Sequence, residues 1–121
     1  MTLPSMIHSL AFGEASNQPL THTKFPRSLR TLHFGEAYNE PLDNVALPNG
    51  LTELVFGTDF DHSLEDVTLP PGLLHLTLGG NFNQSLELTF LPSRLQSLTF
   101  GRYFGQEMQH AVIPQKLSVL K

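Results

Sequence analysis

Histidines and carboxylates are the residues of this 121-residue chain whose chemistry could support a binding site: it has 6 His and 11 Asp+Glu, but no Cys. The absence of cysteine excludes disulfides, thiolate nucleophiles, zinc fingers and iron–sulfur clusters. The sequence also lacks glycine-rich phosphate-binding motifs, a His-Glu-x-x-His zinc motif and a Gly-x-Ser-x-Gly nucleophile motif. These absences predict a protein that is not an enzyme and uses no cofactor or metal.

His33, Glu53 and His75 could form a metal site if the fold brings them together, and this possibility can be tested against geometry. If the three residues lie on successive strands of a parallel sheet, the two histidines are about 10 Å apart, since neighbouring strands are about 4.8 Å apart. Both could not bind one zinc ion at about 2.1 Å without distorting the sheet. The spacing therefore argues against a metal site.

A second group of chemically notable residues is the acidic ladder, defined here as Asp43, Glu65 and Glu87, with Asp66 alongside. If these residues lie on adjacent turns of a repeating structure, their side chains are about 5 Å apart, where like charges repel. Either the side chains extend into water, or they bind something cationic. A basic peptide is favoured over Ca²⁺, because Ca²⁺ takes about six to eight oxygen ligands from several directions.

The elements that position these residues follow from an internal repeat. Proline recurs every 22 residues, at Pro4, Pro26, Pro48, Pro70, Pro92 and Pro114. Leucine, isoleucine or phenylalanine occupies most of the other recurring positions. Glycine recurs with the same period, at Gly13, Gly35, Gly57, Gly79 and Gly101. The period predicts one domain, residues 3–121, with five coils and part of a sixth that start near residues 3, 25, 47, 69, 91 and 113.

Each repeated position has a physical interpretation. The segment Leu-x-x-Leu-x-Phe predicts a short strand with one buried face, and a single coil can bury that face only by stacking on its neighbours. The glycine column predicts either a positive φ or a corner too tight for a Cβ. The proline column marks another corner. A column of Asn17, Asn39, Asp61, Asn83 and Gly105 predicts a ladder of side-chain oxygens at the remaining corner.

Together these columns predict an all-β, right-handed solenoid with parallel strands. The phenylalanines at Phe12, Phe34, Phe56 and Phe100 are expected to form a continuous aromatic stack inside it.

The repeated unit Leu-Pro-x-x-Leu-x-x-Leu-x-Phe-Gly-x-x-Phe-Asn-Gln-x-Leu, clearest at 69–86 and 25–42, resembles the FNIP repeat, a 22-residue relative of the leucine-rich repeat. Its Phe-Asn-Gln-Pro-Leu core is present with substitutions at 16–20, 38–42, 60–64 and 82–86, and the fifth coil departs most. The resemblance implies a non-enzymatic protein-interaction array, often attached in that family to an F-box that recruits a ubiquitin ligase. The sequence contains no F-box-like helical segment, so a ligase role is not expected of this chain.

The outward positions of the predicted strands form two varied columns beside the constant core: Ser9, Thr31, Glu53, His75 and Ser97, then Ala11, His33, Val55, Thr77 and Thr99. Because folding does not determine their identity, they could encode binding specificity, although a solvated face also varies freely. The candidate partner-binding residues are Arg30, Thr31, His33, Glu53, Val55, His75 and Thr77.

The charge distribution indicates the kind of partner. Between Arg30 and Arg94 there is no Lys or Arg but nine carboxylates. An acidic centre repels a phosphate backbone, so nucleic-acid binding is disfavoured and a protein with a basic surface or a basic peptide is favoured.

Two other functions stay open. The solenoid could assemble with itself through its uncapped ends, or its threonines Thr31, Thr77 and Thr99 could face a carbohydrate. No apolar run has the length of a membrane span and no signal peptide is recognised, which predicts a cytoplasmic protein without membrane association.

Overall fold

The computed structural model describes residues 6–106, 114 and 119–120. Six short strands form one sheet: β1 (Ser9–Ala11), β2 (Thr31–His33), β3 (Glu53–Val55), β4 (His75–Thr77), β5 (Ser97–Thr99) and β6 (Val119–Leu120). Every neighbouring pair is parallel, and the strands follow chain order. No helix in the described residues is long and apolar enough to cross a membrane.

This architecture confirms the predicted all-β solenoid. The described part amounts to about four turns, fewer than the five complete coils expected. The repeat positions predicted at 3–5, 107–113, 115–118 and 121 lie outside the described residues.

The middle residue of each strand from β1 to β5 contributes to the centre of the core. Register pairs Leu10 with Leu32, and then Leu54, Leu76 and Leu98 in turn. The last four are fully buried, whereas Leu10 is only partly buried. Since side chains alternate along a strand, burying this leucine places its two flanking residues on the outer face.

The aromatic core is continuous, but by a different route from the one predicted. Phe12, Phe34 and Phe56 stack with centroids 5.5 and 5.1 Å apart, as expected. Leu78 then interrupts this column. A second column, formed by Tyr38, Phe60, Phe82 and Phe104, continues the stack with 6.2 Å between successive rings.

The asparagine column forms the predicted ladder. The Oδ1 atom of Asn39 accepts the backbone N–H of Asp61 at 3.0 Å, and the Asp61 Oδ1 accepts that of Asn83 at 2.9 Å. Asn17 and Asn83 bind the N–H of the next coil in the same way. At the proline corner, the carbonyl groups of Pro26, Pro48, Pro70 and Pro92 each accept the N–H of the residue three positions later.

The glycine column exists for close packing, and the alternative explanation by positive φ is wrong. No described glycine has a positive φ; Asn44 alone among the described residues does, with φ 66°. A Cβ on Gly57 would overlap the carbonyl of Gly35, and one on Gly79 would overlap that of Gly57. Successive coils approach too closely at this corner for any side chain.

Candidate interaction surfaces

The outer face of the sheet brings the varied strand residues together in two columns. Register places Thr31, Glu53, His75 and Ser97 side by side, and His33, Val55, Thr77 and Thr99 beside them. All eight are half-buried, because each is flanked by its neighbours in the sheet. Six of the seven candidate partner-binding residues therefore lie on one continuous surface.

Two hydrogen bonds organise this surface. His33 Nε2 lies 2.8 Å from Glu53 Oε1, between side chains that are 45% and 39% exposed. His75 Nδ1 lies 2.7 Å from the hydroxyl of Ser97. The two histidines thus bind in the same direction, each to a residue of the following strand, and do not converge on a shared point.

No set of three His, Asp or Glu side chains in the described part of the chain is arranged to hold a metal ion. The His33–Glu53 pair instead presents a polar group whose two members already satisfy one another. Its net charge depends on whether the imidazole is protonated.

Arg30 lies apart from the other candidates. Its Nη1 atom donates to the carbonyl of Arg27 at 3.0 Å, and its guanidinium packs where a Cβ on Gly50 would stand. The side chain therefore folds over the proline corner, away from the two columns.

The acidic ladder lies at a turn that recurs in three successive coils. The backbone N–H groups of Glu65 and Glu87 donate to the hydroxyls of Ser63 and Ser85, both at 3.2 Å. Glu65 is exposed, and Asp43 and Glu87 are half-buried. No salt bridge involves these carboxylates within the described residues.

An exposed apolar pair beside the ladder was missed by the sequence reasoning. Leu88 and Phe90 are 70% and 88% exposed. Phe90 lines a groove of about 230 Å³ together with Glu65 and Asp66. Comparison of the coils would have found this pair. The residues equivalent to Leu88 and Phe90 are Asn44 and Ala46 in coil two, and Asp66 and Thr68 in coil three.

Comparisons with known proteins agree with this geometry. The family model described as FNIP Repeat matches residues 1–37, 38–81 and 82–121. No curated protein matched the sequence. The chain is similar to CroV588, whose crystal structure is described as that of a novel circular LRR protein, with 39% identity and a TM-score of 0.69. The similarity covers 90% of this chain and 19% of that one, so this chain spans about a fifth of the length of CroV588.

Proposed function

The chain belongs to the FNIP repeat family, and we propose that it is a non-catalytic repeat module that binds another protein through the outer face of its strand sheet. The observation that carries this proposal is the contrast between two sets of aligned positions. The inward column is leucine in every strand from β1 to β5, whereas the adjacent outward columns differ from strand to strand. A surface of this kind can change without disturbing the core that supports it.

The partner suggested by charge has a basic surface. Glu53 lies at the centre of the face, and the surrounding coils from 36 to 87 contain acidic residues without any Lys or Arg. Such a field raises the association rate of a basic partner and weakens as salt screens it.

The acidic ladder is the second candidate surface for a protein partner. The groove at Phe90 is lined by Glu65 and Asp66 as well as by apolar side chains, a combination that suits a peptide with both basic and apolar side chains. This surface is the one to test if the strand face proves inactive.

Self-assembly is the second candidate function. Among the described residues, β1 pairs with a strand on one side only. An open edge strand can pair with another chain, and CroV588 is described as circular, an arrangement in which a solenoid need leave no free edge. Assembly of this kind would bury β1 and would be independent of the outer face.

Photo-crosslinking tests the strand-face proposal directly. A photoreactive amino acid in place of Thr77 is expected to capture a partner, whereas the same group at exposed Ser93 is not. The partner identified in this way is then purified and its Kd measured against two variants. One combines His33→Ser, Glu53→Ser, Val55→Ser and His75→Ser, and the other combines Asp43→Asn, Glu65→Gln and Glu87→Gln.

Binding should be lost in the strand-face variant, retained in the ladder variant, and weakened by salt, with melting temperatures within a few degrees of the original. The reverse pattern would move the site to the acidic ladder. A salt-insensitive oligomer that captures nothing would favour self-assembly.

A further inference from the structure

Two grooves meet at the exposed ring of Phe90. The first, of about 230 Å³, is lined by Glu65 and Asp66 of the third coil and by Phe90 of the fourth. The second, of about 330 Å³, is lined by residues of the fourth coil that include Glu87, Leu88 and Phe90. Because Phe90 is 88% exposed, solvent reaches its ring. A ligand in either groove could therefore contact this ring.

Folding does not require an aromatic residue at this position. The equivalent residues of coils two and three are Ala46 and Thr68, although these coils have the same strands and core leucines. The equivalent groove between coils two and three, of about 370 Å³, is lined by Asn44 and Thr68 among others, and by neither a carboxylate nor an aromatic ring. The ring and the carboxylates at Phe90 are therefore local additions to a framework that the coils share.

The carboxylates of the first groove form no ion pair among the described residues. No Lys or Arg occurs in the sequence between Arg30 and Arg94. Arg94 itself is exposed and lines neither groove. Charge complementarity therefore favours an occupant that brings its own positive charge to Glu65 and Asp66.

The aromatic ring favours arginine over lysine as the source of that charge. A guanidinium is planar and weakly hydrated, so its face can stack on Phe90 while N–H groups at its edge donate to Glu65 and Asp66. An ammonium is compact and strongly hydrated, so it gains less from the ring. The groove is large enough, because an apolar cavity of about 150 Å³ holds benzene, which is larger than a guanidinium.

We propose that the two grooves bind an arginine-containing segment of another protein. The arginine side chain lies between Phe90 and the carboxylates of Glu65 and Asp66, and an apolar side chain lies against Leu88. Alternate side chains of an extended peptide share a face, so the apolar residue is two positions from the arginine. This inference rests on the proposed protein-binding function, but it concerns a surface other than the strand face.

The peptide Ac-Leu-Ser-Arg-Ser-Leu-NH2 is the probe for the test, because a leucine on each side of the arginine suits either chain direction. NMR titration of the full chain should show saturable shift changes concentrated in the amides of residues 65–69 and 87–91. The peptide with lysine in place of arginine should bind at least threefold more weakly. The peptide with citrulline, which keeps the planar shape but is neutral, should bind at least tenfold more weakly.

Matched variants locate the site. Phe90→Thr introduces the residue that coil three has at this position; it should weaken binding at least threefold and remove the preference for arginine over lysine. Glu65→Gln combined with Asp66→Asn should weaken binding at least tenfold. The control, Glu36→Gln combined with Asp59→Asn, removes two exposed carboxylates that line neither groove and should leave the Kd within twofold.

The inference is overturned if the arginine peptide does not bind at millimolar concentration, if the lysine and citrulline peptides bind equally well, or if the control variant loses as much affinity as the groove variant. It is also overturned if the shift changes fall on β2 to β4, which would assign the peptide to the strand face. A dimer that Phe90→Thr dissociates would overturn it too, since a second copy would then fill the grooves. Failure of the strand-face proposal is measured separately, by crosslinking from position 77.

Discussion

Phe56 shows how much stability one aromatic residue contributes to the solenoid. It is buried in the central coil and stacks on Phe34 at 5.1 Å and on Phe60 at 4.0 Å. Phe56→Ala should lower the free energy of unfolding by about 3–5 kcal/mol, because the neighbouring coils prevent the cavity from collapsing. Chemical denaturation measures this loss, and a value below about 1 kcal/mol would contradict the inward placement of the ring.

Thr89 is a buried residue whose hydroxyl has no hydrogen-bond partner in the described residues. Val45 and Val67 occupy the same position in coils two and three. Thr89→Val should raise the free energy of unfolding by about 1 kcal/mol, since it removes an unpaired buried hydroxyl while nearly preserving shape. The reciprocal variant Val67→Thr should lose a similar amount in the same denaturation experiment, and a gain there would contradict the explanation.

Substitution of Gly57 tests whether the close approach of successive coils explains the glycine column. Gly57→Ala should destabilise the protein by about 1–3 kcal/mol or more, because its Cβ would meet the backbone of Gly35. Gly13 provides a matched control, since a Cβ there would have no atom within 4 Å, so Gly13→Ala should be neutral or slightly stabilising. Equal thermal stability of the two variants would show that coil spacing does not explain the column.

At the scale of the element, each side chain of the asparagine ladder accepts a backbone N–H at the same corner of the next coil. Asn39→Ala should lower the free energy of unfolding by about 1–2 kcal/mol, because the N–H of Asp61 loses its acceptor. Asn39→Asp keeps a side-chain oxygen and should retain most of the stability. Hydrogen exchange at the Asp61 amide measures the local effect: unchanged protection in Asn39→Ala would indicate another acceptor.

At the scale of the whole molecule, stability comes from the stacking of neighbouring coils. Leu54 and Leu76 are fully buried between coils, whereas Leu10 of the first coil is partly exposed. In a repeat protein, stability is approximately a sum of coil and interface contributions, so end coils open more readily. Backbone amides of β3 and β4 should therefore exchange most slowly and those of β1 much faster, and uniform exchange would indicate a single cooperative unit without fraying.

The 22-residue period by itself determined the architecture. A strict repeat forces Leu32, Leu54 and Leu76 into equivalent environments, and one apolar face per coil can be buried only between neighbours. The same logic predicted the ladder through Asn39 and Asp61, since short side chains with an oxygen are suited to satisfy a turn. These properties depend on residue type and spacing alone.

Only the tertiary structure decided the properties that depend on the distance and direction between coils. The contact of Gly57 with Gly35 distinguishes close packing from a positive φ, two explanations that one glycine column suits equally well. The hydrogen bond from His33 to Glu53 depends on side-chain orientation across the sheet. The route of the aromatic stack likewise depends on ring spacing, because Phe56 contacts Phe60 of the second column at 4.0 Å where Leu78 interrupts the first.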